Sequence, residues 1–199
     1  SNLIGWYRLS QIMIRILPCA IFLQTITAVG AVHGPICQWH QDPCTSMAVH
    51  WIESSAAAQE RPFIVTYRKT GGAEWLNSKV ETRPFGRTKH WVYSTDLSGL
   101  DPDSRYNFKI SQGDRLIGSW FFKTAPKLFE EGMSFVTGGD MFHTREMLDG
   151  MNLRAGTENP LFALLGGDLA YANGVDGDRW LEWVDSWSKC AITLEGCMT

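Results

Sequence analysis

Beyond its first few dozen residues the chain alternates apolar and polar positions in short runs. Met47-Ala-Val-His-Trp51, Phe63-Ile-Val-Thr-Tyr67, His90-Trp-Val-Tyr93, Tyr106-Asn-Phe-Lys-Ile110 and Ser119-Trp-Phe-Phe-Lys-Thr124 each read as a strand. A period of two puts alternate side chains on one face of a pleated ribbon. Thr70-Gly71-Gly72 and Gly113-Asp114 read as turns between them. Evenly spaced strands with turns predict a β-sandwich. The pattern changes at Ala125-Pro126-Lys127. Beyond it Met133-Ser-Phe-Val-Thr137 and Leu161-Phe-Ala-Leu-Leu165 are strand candidates, the second predicted to be buried. Thr144 is placed to cap a helix running to about Ala155, with Met147, Leu148 and Met151 on one side. Trp180, Leu181, Trp183, Val184 and Trp187 recur at helical spacing and predict a core-facing helix. Strand, helix, strand, helix is a βαβ pattern, which implies a parallel sheet.

One segment sharpens the first half. Leu97-Ser-Gly-Leu100-Asp-Pro102-Asp-Ser-Arg-Tyr106 has the pattern of a tyrosine corner. In that device a Tyr hydroxyl bonds back to the preceding backbone and fixes the crossing between two sheets. The segment resembles a fibronectin type III domain, which carries no chemistry by itself. The expected organisation is an N-terminal extension over 1–34, the sandwich over 35–126, and the start of an α/β domain over 127–199.

Composition narrows the functional classes. The formal net charge of the 199 residues is −3, which leaves no basic field for nucleic acid or an anionic membrane. Met13-Ile-Arg15, an apolar stretch from Ile16 to Val32, and the small residues Ala28, Gly30 and Ala31 have the anatomy of a secretory signal peptide. An uncleaved N-terminal anchor is the alternative, and only then would the membrane be a partner. The expected location is secreted or periplasmic. Cys19 falls in this segment. The other four cysteines form two local pairs, Cys37 with Cys44 and Cys190 with Cys197. An export signal makes disulfides plausible, with connectivity left open.

The candidate chemistry sits in the second half. Both predicted parallel strands end alike, in Gly138-Gly139-Asp140 and Gly166-Gly167-Asp168. Parallel strands present their carboxyl ends at one edge of the sheet, so Asp140 and Asp168 are expected side by side where α/β folds bind ligands. Two neighbouring carboxylates repel unless a cation joins them, which makes a hard or borderline metal the natural occupant. A Gly-Asp after a strand also serves as a plain turn or helix cap. His143 lies three residues past Asp140, at the mouth of the expected site, as an outer-shell donor or a solvated loop residue. Asn173, with Gly174, is an outer-shell or turn residue.

Gly167-Asp168-Leu-Ala-Tyr171 resembles the Gly-Asp-x-x-Tyr block of purple acid phosphatases, within the metallophosphoesterases. The resemblance runs from about residue 36 to the end and includes Gln38-Trp-His-Gln-Asp-Pro43 and a fibronectin-like domain ahead of the catalytic one. It implies that Asp168 bridges two metals and that Asp140 and Tyr171 hold a ferric ion. The second metal would be iron, zinc or manganese, and the substrate a phosphate monoester. Two departures stand out. Asp140-Met141-Phe142 lacks the glycine of the family's Asp-x-Gly block. The later Asn-His and histidine blocks have no counterpart before Thr199, so the general-acid histidine is missing and this chain alone is expected to be inactive. The rival reading is a non-catalytic secreted or cell-surface binding module built on the sandwich.

Overall fold

A computed structural model describes residues 30–54, 61–130, 132–174 and 176–199. Nearly all of the signal-peptide segment, Cys19 included, lies outside them. Eight strands come first: β1 (Val32–Gln38), β2 (Ser46–Glu53), β3 (Phe63–Lys69), β4 (Leu76–Ser78), β5 (Glu81–Pro84), β6 (Trp91–Ser98), β7 (Arg105–Gln112) and β8 (Arg115–Lys123). They form two antiparallel four-stranded sheets, ordered β1-β2-β6-β5 and β4-β3-β7-β8. This is the β-sandwich that the alternating runs predicted.

The packing follows from the pattern. On β7 the strict alternation sends Tyr106, Phe108, Ile110 and Gln112 inward. They meet Val65 and Tyr67 of β3, Met47, Val49 and Trp51 of β2, and Leu97 of β6 in one core. Trp51 stacks on Tyr93 with ring centroids 5.7 Å apart. The corner forms as the sequence indicates: the Asp101 N–H donates to the Tyr106 hydroxyl oxygen at 2.8 Å, above the buried Leu97 and Leu100. One carboxylate is sealed in the sandwich. Glu53 accepts from the Tyr93 hydroxyl at 3.1 Å and from Gln112 Nε2 at 3.0 Å.

β2 departs from half-burial for a structural reason. Its outward-facing Ile52 joins Val92 in a second core, built largely by the rest of the chain. That remainder comprises β9 (Phe135–Gly138), α1 (Arg145–Thr157), β10 (Phe162–Leu165), α2 (Gly177–Cys190) and the short hairpin β11 (Ile192–Thr193) and β12 (Gly196–Cys197). Trp183, Val184 and Trp187 of α2 are buried against the outer face of the first sheet. Trp183 and Trp187 stack at 5.5 Å, and His33 Nδ1 of β1 bonds Asp185 Oδ2 at 3.0 Å. The tryptophan stripe is therefore the seam between the sandwich and the second unit. Burying side chains of this size contributes roughly 1.5–3 kcal/mol each.

β9 and β10 pair in parallel, joined by α1, with Phe135 opposite Phe162 and Gly138 opposite Leu165. Thr144 caps α1, its Oγ1 accepting from Met147 N at 3.2 Å. The buried face of α1 differs from the expected one. Leu148, Asn152 and Gly156 point inward, while Met147 and Met151 are 53% and 41% exposed. Asn152 decides this by donating to Ser186 Oγ of α2 at 2.9 Å inside the core. Gly156 admits the β11 backbone so closely that a Cβ would lie 2.5 Å from Ile192 O. β10 is only half-buried, and Leu164 is exposed, because this small sheet is uncovered on that side among the described residues. No described helix is long and apolar enough to cross a membrane.

Candidate metal centre

The parallel pair sets up the site. Gly138 and Leu165 end the two strands in register, and both chains turn at the same edge. The loops are stitched by their backbones: Gly166 N to Gly138 O at 2.8 Å, Asp140 N to Gly167 O at 3.2 Å, and Met141 N to Asp168 O at 3.3 Å. Gly139 permits this proximity, since a Cβ there would stand 1.8 Å from Gly166 O. Asp140 and Asp168 are thus held in adjacent, hydrogen-bonded loops, as their matched placement predicts.

The backbone at these residues is unusual. Asp140 (φ 57°), Asp168 (φ 44°), Tyr171 (φ 49°) and Asn173 (φ 49°) all take left-handed conformations. A non-glycine residue there is uncommon and costs free energy that its surroundings must offset. Among the described residues, neither Asp140 nor Asp168 has a side-chain hydrogen bond or ion pair, and both are exposed. His143 is exposed too, and its ring lies 5.9 Å from that of Tyr171. Tyr171 is partly buried against the second core.

The residue that ties these loops together is Arg179, which periodicity does not flag. It sits in the first turn of α2 and reaches back with two donors. Its Nε donates to Ala170 O at 2.7 Å and its Nη2 to Phe142 O at 2.8 Å. Its guanidinium also lies 4.1 Å from the centroid of the Phe142 ring. One side chain therefore clamps the loop of Asp140 to the loop of Asp168 and Tyr171. Phe142 itself is buried in the second core and supports the arginine. The only sequence signal was a basic residue three positions after the capping Asp176.

The family comparison bears on the sandwich. Residues 32–124 match the family model described as the purple acid phosphatase N-terminal domain. The sandwich is thus similar to that domain. The match ends where the sandwich ends, and the βαβ unit lies outside it. No curated protein matches the chain. Among solved structures, PhoD aligns with 83% of this chain at 9% identity and a TM-score of 0.45, and this chain spans 37% of it. The sensor domain of the anti-sigma factor RsgI4 from Pseudobacteroides cellulosolvens aligns over 51% of this chain and 80% of its own, at 13% identity and a TM-score of 0.35. Astrotactin-2, a vertebrate-specific, perforin-like membrane protein, aligns over 61% of this chain and 28% of its own, at 16% identity and a TM-score of 0.34. At these TM-scores none of the three bears on function.

The donors fit a metal in kind. Two carboxylates and a phenol are hard oxygen ligands suited to a trivalent or hard divalent cation. In number they fall short: no group of three or more His, Cys, Asp or Glu is assembled to hold a metal among the described residues. Of the five histidines only His143 adjoins the site. His33 is bonded to Asp185, His90 to Asp178, and His40 and His50 to each other.

Proposed function

We propose that this chain is a member of the phosphatase family and that its βαβ unit contributes Asp140, Asp168 and Tyr171 to a dinuclear metal centre for hydrolysing phosphate monoesters. The observation that carries the reading is the stitched pair of loops, which brings Asp140 and Asp168 to one sheet edge, unpaired and at positive φ. The purple acid phosphatase N-terminal domain immediately upstream supports it. Asp168 would bridge a ferric ion and a second iron, zinc or manganese, with Asp140 and Tyr171 on the ferric side. Such a centre supplies Lewis acidity toward phosphate oxygens and a water acidic enough to ionise under mild conditions.

The chain's own residues do the positioning. Gly139 lets the two loops touch, and Arg179 locks them. His143, exposed beside Tyr171, would serve as an outer-shell donor toward arriving phosphate. Such a centre would need further ligands and a general acid beyond Asp140, Asp168 and Tyr171. We further propose action outside the cytoplasm, on the strength of the N-terminal apolar segment.

Phosphate release from a chromogenic monoester tests the reading. With Fe(III) and Zn(II) added, the 199-residue chain should release no more phosphate than its Asp168→Ala variant. The product of the same locus read to its stop codon should release phosphate in a metal-dependent manner, and Asp168→Ala should abolish this. A metal-loaded product that is inactive, or one indifferent to Asp168→Ala, would contradict the proposal and favour the binding-module reading.

A further inference from the structure

We propose that Cys37 and Cys197 form a disulfide that ties the sandwich to the C-terminal hairpin. All four described cysteines are free thiols in this structure, and the sequence leaves their connectivity open. Cys44 Sγ donates to Pro126 O at 3.4 Å. Cys190 lies beside Asp149 and Ser186. Cys37, on β1, is buried in the sandwich core, and Cys197, on β12, packs against that same core.

The fold explains how residues so distant in sequence meet. β1 and β8 are edge strands of opposite sheets, and the β11–β12 hairpin docks beside β8. Gly196 makes the docking close: a Cβ there would come within 2.1 Å of Phe121 O of β8. Arg105 of β7 holds the hairpin from outside, donating to Leu194 O at 3.1 Å and Glu195 Oε2 at 2.8 Å. This docking brings Cys197 against the sandwich core that holds Cys37. The neighbouring Cys197 and burial push the Cys37 thiol well above its ordinary value. Cys197 is the more exposed of the two.

The chemistry is thiol–disulfide exchange with a small-molecule disulfide. The Cys197 thiolate attacks one sulfur of that disulfide, expelling a thiolate that takes up the proton and leaving a mixed disulfide. Cys37 then loses its proton and attacks the Cys197 sulfur, expelling the second thiol. Two protein thiols are oxidised and one small disulfide is reduced to two thiols.

The test is direct mapping on the wild-type chain, refolded in a buffer of oxidised and reduced glutathione. Free thiols are blocked by alkylation, and the protein is digested with trypsin and a glutamate-specific protease. Cleavage after Glu195 separates Cys197 from Cys190, and fragmentation of the linked peptide distinguishes Cys37 from Cys44. A Cys37–Cys197 peptide is expected, retained in Cys44→Ser and Cys190→Ser and lost in Cys197→Ser. Recovery of Cys37–Cys44, of Cys190–Cys197, or of alkylated Cys37 and Cys197 from the wild type would overturn the proposal, whatever the variants do.

Discussion

Replacing Arg179 by Met should loosen the two candidate ligand loops while leaving the sandwich intact. The change deletes two hydrogen bonds from a charged donor, to Ala170 O at 2.7 Å and Phe142 O at 2.8 Å. Hydrogen bonds of this kind contribute about 1.5–3 kcal/mol each. The stack on Phe142 adds roughly 0.5–1 kcal/mol. Arg179 is only partly buried, so water can rehydrate the freed carbonyls, and Met recovers part of the packing. A net loss of about 2–4 kcal/mol is therefore the reasoned expectation. Native-state hydrogen exchange reads it locally, because the Asp140 and Met141 amides bond to the facing loop. Their protection should fall by at least about 30-fold, since every 1.4 kcal/mol is a factor of ten. Amides of β3 and β7 should be unaffected. Unchanged protection at Asp140 and Met141 would show that Arg179 does not hold the loops.

Three further outcomes follow from other parts of the structure. Tyr106→Phe leaves the Asp101 N–H without its acceptor and should cost about 1–3 kcal/mol in a denaturant melt; an unmoved midpoint would remove Tyr106 from the corner. Gly139→Ala drives a methyl into Gly166 O and should destabilise the βαβ unit by about 1–3 kcal/mol, whereas Gly138→Ala, with open space around it, should be far milder. Equal melts for the two variants would refute the close approach. Acid should weaken the fold in two stages. Burial, helped by the charge on His40 and opposed by Asp96, holds His50 down to about 4, so the unfolded chain takes up this proton first and stability falls between about pH 6.5 and 4. Below that, burial favours protonating Asp185, but His33, Lys189 and Arg145 outweigh it and keep its carboxyl low. Its contribution is present above the ordinary carboxylate range and is lost as pH falls through the depressed value. His50→Gln should flatten the first stage of urea midpoint against pH, and an unaltered slope would contradict it.

Much of this architecture was legible because the determinants are local. Alternation on β7 and the Leu97–Tyr106 corner specify the sandwich from a few residues each. Thr144 announces the α1 cap for the same reason. What was illegible depends on partners remote in sequence. β2 is buried on both faces because α2 covers one of them. Asn152 turns α1 away from its methionines by bonding Ser186. The sulfur neighbour of Cys37 lies at the far end of the chain, so spacing left the connectivity open. At the candidate site, the repeated Gly-Gly-Asp marked the loops and their shared edge. It did not reveal that the aspartates themselves adopt positive φ, nor that Arg179 stacks on Phe142 and ties the two loops together.

The central claim is that Asp140, Asp168 and Tyr171 are ligands of one metal centre. Its most direct test is the metal content and visible spectrum of the protein expressed from its locus to the stop codon and loaded with Fe(III). The wild type should retain iron and show a phenolate-to-iron charge-transfer band. Tyr171→Phe should lose the band while keeping some metal, and Asp168→Ala should lose the metal altogether. A Tyr171→Phe protein that keeps the band, or an Asp168→Ala protein that keeps its metal, would contradict the account.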